Sequence, residues 1–340
     1  MKLRIRTMIW AAVLAVCLAG CSATGISGGT SDAGQVTTDF LEDTVFTVAD
    51  MRVSLAEWYL YALPQAAEIE NMYGTEIWDY PTDSTGQTMA DALKEDIREQ
   101  ITYIKITGAR AAELGLSLGE DDLFDINLQT EEYMSSLSEE QRLKYGITED
   151  VVRQIYSDNV LAMKVYENLT LNIDTSIPDE QVRHMVLEYI MILKDYEDED
   201  GEFVRYSDSE LDSMRSDAEA LLEQVLADSS ITRLDEINDD RYSVVELVAD
   251  LAELKEKLPG EIPEIAFSMR QDEITGVYET DDALFILDCV ERTDETTTDK
   301  ARIEIIEARQ QALFEKKYGE WENEAVIKYN YKLWDSLGVR

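Results

Sequence analysis

Histidine is almost missing from this 340-residue chain; the only one is His184. A metal site built from several imidazoles is thereby excluded, and a Ser/His/Asp triad has little to be built from. Cysteine is nearly as scarce, with Cys17, Cys21 and Cys289 alone. Basic residues are outnumbered, 30 against 72 acidic ones, for a net charge of −42. So acidic a surface repels nucleic-acid phosphates and anionic headgroups, and a nucleic-acid role is set aside on that ground. The same charge favours solubility and could draw basic partners, although a solvated acidic coat is the plainer reading. No stretch beyond the first twenty residues is long and apolar enough to span a bilayer, and no internal repeat is present. Asp198-Glu199-Asp200-Gly201 lacks the spaced ligands and closing Glu of a calcium loop and reads as a polar turn. Neither a metal nor a cofactor is expected.

What is present begins with a leader. Lys2, Arg4 and Arg6 precede the apolar run Met8–Leu18, which has signal-peptide length and is too short to cross a membrane comfortably. The run closes on Leu18-Ala19-Gly20-Cys21, which resembles the lipobox of exported bacterial lipoproteins. That resemblance implies cleavage before Cys21, acylation of its thiol, and display on the outer face of the cytoplasmic membrane. Each buried acyl methylene contributes about 0.8 kcal/mol, so two or three chains anchor firmly. Loss of the leader takes the basic count from 30 to 27 and the net charge to −45. It also removes Cys17, so Cys289 has no partner for an intramolecular disulfide. Cys289 stands in the apolar run Ala283–Val290 and reads as a core thiol. Residues 21–44, rich in Gly, Ser, Thr, Ala and Asp, read as a flexible tether.

The rest divides by periodicity. Val45–Val53 reads as a strand or hairpin. Capping patterns at Ser54, Ser138 and Ser207, and a cap at Thr148, predict helices to about Met72, Gly146, Ala227 and Leu169 respectively. Gly74–Gly86, broken by Pro81, reads as a loop. Thr88–Leu114 carries Leu93, Ile97, Ile101, Ile104 and Ala111 near one helical face, and Glu120–Leu137 reads as an acidic helix. After Ile173 the pattern changes, and Pro178 lies in a linker. Val186–Ile192 predicts a strand, Ile231–Lys257 one or two helices, and a short helix to Met269 follows the Pro259-Gly260 turn. Strands are expected at Gly276–Glu279 and Ala283–Val290. Thr293–Thr298 reads as a polar hinge, and a long helix from Asp299 leads into a tail ending with Val326, Tyr329, Leu333 and Trp334.

The expected fold is α+β. A tail so aromatic needs cover, and packing it onto the first helical region gives one mainly helical domain built from both chain ends. That domain takes 45–174 and the tail 295–340, with a small α/β unit, 175–294, inserted between them.

This order resembles the PrsA/SurA-type foldases, in which a parvulin-type prolyl isomerase domain interrupts a helical chaperone domain. Ile101–Thr170 resembles the N-terminal chaperone domain, through Ala112-Glu113-Leu114-Gly115-Leu116 and Tyr145-Gly146-Ile147-Thr148-Glu149-Asp150-Val151. Glu180–Arg292 resembles the parvulin unit, through Ile265–Met269, Asp272–Gly276 and Phe285-Ile286-Leu287. The resemblance implies a proline pocket formed by Leu258, Ile262 and Phe285, with Tyr189 as the candidate catalytic residue. Phe267 is placed in the core beside them. The departures are specific. Where parvulins carry Ser-His-Ile-Leu this chain has Glu188-Tyr189-Ile190-Met191, and Phe285 replaces the histidine of the last strand. Leu258 and Ile262 stand for the family's Met and Phe, and no glycine lies between Gly201 and Gly260. His184, five residues from the family position, reads as a surface or strand-edge residue.

Prolyl isomerisation needs no nucleophile or metal. It needs an apolar cup and positioned polar groups that favour a twisted amide across a barrier near 20 kcal/mol. The polar half is largely gone here. The leading expectation is therefore a membrane-anchored foldase or chaperone that binds unfolded exported polypeptides, with a weak or inactive isomerase domain. An active peptidyl-prolyl isomerase and a non-chaperone scaffold lipoprotein remain open. A transporter's binding component fits less well, because two α/β lobes are not in the pattern.

Overall fold

The computed structural model describes residues 42–82, 86–198, 200–231 and 242–338. The leader, Cys21 and the tether up to residue 41 lie outside them, as do Glu199 and residues 232–241. The fold is α+β, and it forms two compact units. One takes the described residues up to Asn172 and from Gln310 onward; the other is Ile173–Arg309.

The first unit opens with a hairpin, β1 (Thr44–Val48) and β2 (Met51–Ser54), that buries Val45, Phe46, Val48 and Val53. Helix α1 (Leu55–Tyr73) starts where the Ser54 hydroxyl accepts the Glu57 N–H at 3.1 Å. The following loop contains a 3-10 turn, Thr75–Asp79, and rejoins the helices through a bridge between Pro81 and Thr88. Helix α2 (Met89–Ala109) begins in a reciprocal cap between Thr88 and Asp91. It stops five residues short of the expected Leu114. Residues 110–115 form a tighter turn closed by Leu116 N–H to Ala111 O at 2.8 Å, with Gly115 at φ +71°. Helix α3 (Glu120–Ser136) follows as the acidic helix expected there, and α4 (Glu139–Tyr145) and α5 (Glu149–Thr170) follow as the caps at Ser138 and Thr148 predict. Gly108 lets α2 approach α5: a Cβ there would lie 3.3 Å from the Asp158 carbonyl oxygen.

Trp58, Phe46, Ile97, Ile101, Ile126 and Val152 belong to one core. The C-terminal part of the chain joins it differently from the expectation. The sequence predicts a C-terminal helix over 295–340, but the long helix ends at Glu324. Strand β10 (Ile327–Tyr329) then pairs antiparallel with β1, setting Phe46 opposite Tyr329, and a short helix, α10 (Tyr331–Trp334), follows. The sheet order is β10–β1–β2. Trp334 meets Phe46 edge-on, with centroids 6.1 Å apart.

The second unit is an antiparallel sheet ordered β6–β3–β9–β7, with β8 also paired to β9. Its members are β3 (Met185–Leu193), β6 (Ser243–Ala249), β7 (Glu273–Ile274), β8 (Tyr278–Glu279) and β9 (Ala283–Glu291). A separate hairpin, β4 (Asp195–Glu197) with β5 (Phe203–Arg205), turns at Gly201, where the Asp198 carboxylate accepts the Asp200 and Glu202 N–H groups. Helix α6 (Asp208–Asp228) packs Ala218, Leu222 and Val225 on one face of the sheet. Helices α7 (Leu251–Lys257) and α8 (Ile262–Ser268) pack Leu254, Leu258, Ile262 and Ala266 on the other. Both faces are covered, which is why β3 and β9 read as nearly unbroken apolar runs.

Three expectations are corrected here. Of the stretch 231–257, expected to be helical, the part 243–249 is strand β6, whose β-branched Val244, Val245 and Val248 suit a half-buried pleat. The strand expected at Gly276–Glu279 is reduced to β8, with β7 before it. The hinge at Thr293–Thr298 is instead the start of α9 (Glu295–Glu324). Asp294 accepts the Thr298 N–H with its carbonyl and the Thr297 hydroxyl with its carboxylate, so the threonine-rich turn is capped rather than loose.

Candidate functional site

Strand alternation decides which side chains can meet. On β3, Met185, Leu187, Tyr189 and Met191 face one way; on β9, Ala283, Phe285, Leu287 and Cys289 do the same. Tyr189 pairs in register with Leu287, and Met191 with Phe285. The Tyr189 and Phe285 rings are therefore diagonal neighbours, with centroids 6.2 Å apart and planes at 47°. Leu258 and Ile262 come down on this face from the end of α7 and the start of α8. All four residues singled out in the sequence thus belong to one cluster.

That cluster is closed. Tyr189 is 7% exposed, Leu258 5%, Ile262 2% and Phe285 1%. A proline ring reaches Ile262 or Phe285 only if packed side chains move aside. Burial pushes the Tyr189 phenol above its ordinary pKa, so it remains a neutral O–H donor. Cys289, at the far end of the same strand face, is buried, and burial pushes its thiol up to about 11 against the pull of Arg183. A thiol so poised is no nucleophile at neutral pH.

His184 stands immediately before β3. Its Nδ1 lies 2.8 Å from the Val182 carbonyl oxygen, and its Nε2 lies 3.7 Å from a Glu253 carboxylate oxygen. Its backbone N–H donates to the Thr298 hydroxyl at 3.0 Å. The single imidazole is thus tied to the strand's entry, outside the Tyr189 cluster. Arg183, beside it, was not anticipated. Its guanidinium lies 3.6 Å from the Phe267 ring centroid and donates to the carbonyls of Phe267 at 2.6 Å and Arg292 at 2.8 Å. Phe267 packs against the cluster from its edge, half-buried. Arg183 locks the exit of α8 to the end of β9, a positioning role no local pattern announces.

On the opposite sheet face Glu188 and Asp288 stand directly across from each other, both buried, with Glu246 in the next strand opposite Glu188. Burial pushes the Asp288 carboxyl up, a hydrogen bond from the Ile231 backbone opposes this, and Glu188 and Asp272 add to it. At the sheet's end Lys194 donates to a Glu279 carboxylate oxygen at 2.5 Å, and Arg215 of α6 donates to the two Glu279 oxygens at 2.8 and 3.0 Å. Among the described residues, no group of three or more His, Cys, Asp or Glu side chains is gathered as a metal site would need. Nor is any helix among them long and apolar enough to cross a membrane.

No protein-family model matches the chain, and no curated protein matches its sequence. Among solved structures, the chain is similar to one of two structurally related SurA-like chaperones of Campylobacter jejuni. The TM-score is 0.29 at 8% identity, over 85% of this chain and 99% of that one. It is also similar to the foldase PrsA of Streptococcus pneumoniae, with TM-score 0.23 and 12% identity over 80% and 90% of the two chains. For PrsA of Bacillus subtilis the values are 0.24 and 11%, over 84% and 94%.

Proposed function

We propose that this chain is a lipid-anchored, extracytoplasmic chaperone of the foldase type, and that its sheet unit contributes binding and structure rather than efficient prolyl isomerisation. The observation that carries the proposal is the solvent-facing surface of the helical unit. Met72, Tyr73, Tyr80, Phe124, Leu143 and Leu171 are each more than half exposed there. Large adaptable apolar side chains in a strongly acidic, soluble surface suit weak and promiscuous capture of unfolded chain. The closed Tyr189 cluster weighs against catalysis, and the order of basic start, apolar run and Leu-Ala-Gly-Cys supports anchoring at Cys21.

The test is a pair of assays on one preparation: suppression of aggregation of an unfolded exported protein, and cis/trans isomerisation of a series of proline peptides. Suppression without acceleration is expected. Acceleration lost on Tyr189→Phe or Ile262→Ala, in variants that remain folded, would make the protein an isomerase. Failure to suppress aggregation of any client would leave a scaffold lipoprotein.

A further inference from the structure

Helix α3 packs only one side. Of its seventeen residues Ile126 and Thr130 alone are buried, with Tyr133 and Met134 half-buried beside them. Phe124 and Leu128 each lie two positions from Ile126, which puts them about 160–200° round the helix, on the outward face. They are one turn apart and therefore adjacent. Phe124 is 69% exposed and Leu128 48%. Isolated exposed apolar residues are ordinary on any protein. What distinguishes this pair is its frame.

Asp121, Asp125, Glu131 and Glu132 surround it on the same exposed face, and the helix contains no Lys or Arg. Neighbouring cations are taken up on the packed side. Lys164 pairs with Asp122 at 2.6 Å, while Arg153 bonds Asn127 at 3.0 Å and pairs with Glu149 and Asp150 of its own helix. Among the described residues, none of the four outward carboxylates has an ion-pair partner. The result is an apolar anchor point ringed by unpaired negative charge.

We propose that the outward face of α3 is a docking strip for cationic, apolar polypeptide segments, with Phe124 and Leu128 receiving the apolar side chains and the four carboxylates receiving flanking Lys or Arg. This rests on the chaperone reading and narrows it, since it names the client chemistry. Charge complementarity selects the occupant: a second copy of this acidic chain would bring carboxylate against carboxylate, and an anionic lipid surface would be repelled for the same reason.

The experiment measures binding of the full chain to two labelled peptides by fluorescence anisotropy. One peptide sets lysines among leucine and phenylalanine; the other has glutamate in place of each lysine. The lysine peptide should bind and the glutamate peptide should not. The double variant Phe124→Ala/Leu128→Ala should weaken binding about tenfold, the scale of losing a small hot spot. Its unfolding should change little, because both side chains lie on the outward face and neither belongs to the core. Neutralising the rim (Asp121→Asn, Asp125→Asn, Glu131→Gln, Glu132→Gln) should remove most of the salt dependence. That dependence is read between roughly 0.1 and 1 M salt, where the screening length falls from about 10 to about 3 Å. Phe203→Ala, an equally exposed aromatic in the other unit, should change nothing. Unchanged affinity in the double variant, equal binding of the glutamate peptide, or loss of binding with Phe203→Ala would each overturn the proposal. If aggregation suppression persists in that event, the chaperone reading stands and only the strip is wrong. If the unmodified chain neither suppresses aggregation nor binds the lysine peptide, both readings fall.

Discussion

The two units place charge inside themselves in opposite ways. In the helical unit a cation is taken into the core: Lys105 is buried between Glu57 at 2.8 Å and Asp158 at 2.7 Å, one partner on α1 and the other on α5. In the sheet unit the buried charges in the middle of the sheet are both acidic, Glu188 facing Asp288, and the cations sit at its end, around Glu279. The difference teaches what each charge is for. A helix packs through a stripe that tolerates sliding, and a buried three-way ion cluster fixes which helix sits where. A sheet already has its register fixed by backbone ladders, so its ion pairs are left to pin the ends.

The sharpest way to break the comparison is Lys105→Met. Glu57 would then be buried, and Asp158 half-buried, without their cation, and the cost should be about 3–5 kcal/mol in the helical unit. Burial already pushes Glu57 up against the pull of Lys105, so the variant should bind a proton there on folding. The readout is simple, because every tryptophan from Trp58 onward, including Trp78, Trp321 and Trp334, belongs to the helical unit and the sheet unit has none. Urea unfolding followed by tryptophan fluorescence should shift strongly. An unshifted transition would mean that the cluster does not organise these helices.

A core truncation makes the matching test in the sheet unit. Phe285→Ala removes a fully buried ring from the middle of β9 and should cost about 3 kcal/mol. It should lower the far-ultraviolet circular dichroism transition more than the tryptophan one. If the residue instead lined an open proline pocket, the loss would be well under half of that, and stability alone would separate the two arrangements.

Helix caps sharpen the comparison at a smaller scale. Thr88→Ala breaks the reciprocal cap of α2 and should cost about 1 kcal/mol, read as a tryptophan-detected shift. The caps also mark what the sequence made legible. Ser54, Ser138, Thr148 and Ser207 announce their helices because a cap is a local event, settled within four residues. The strand runs of β3 and β9 were equally readable, because both faces are buried and the whole run is apolar. Three kinds of feature were not. Strand β10 is three residues long and exists because β1, some 280 residues earlier, lends it a ladder. Strand β6 carries Glu246 at its centre, so its pattern breaks where a half-buried edge meets solvent. The ion cluster of Lys105 joins three helices, and a lysine inside the stripe of Ile101 and Ile104 says nothing by itself about its partners. At the candidate site, the resemblance brought Tyr189, Leu258, Ile262 and Phe285 to attention together. Whether they form an open cup or a closed core depends on packing that spacing does not encode.

The smallest effect is a pH dependence of opposite sign in the two units. Asp96 of α2 is pushed up to about 6, first by burial and then by Glu99 and Glu95. Its unfolded value is near 3.8, so its charged form burdens the folded helical unit at neutral pH. Lowering the pH through 6 removes that burden, and the relief is complete below about 3.8. Glu279 is the reverse case: hydrogen bonds from Arg215 and then Lys194 hold its carboxyl down to about 2. Its contribution is full above the unfolded value of 4.5 and fades as the pH falls towards 2, and partial exposure keeps it modest. Acidification from pH 7 to 4 should therefore favour the helical unit through Asp96, while still lower pH should cost the sheet unit through Glu279. Because many other carboxylates titrate in the same range, the comparison is made by difference. Asp96→Asn should raise the tryptophan-detected stability at pH 7 and narrow its gap to the unmodified protein as the pH falls. Glu279→Gln should lower the circular dichroism transition at pH 7 and converge on the unmodified protein near pH 2. Parallel curves for Asp96→Asn across pH 7 to 4 would show that this carboxyl is solvated and titrates as in the unfolded chain.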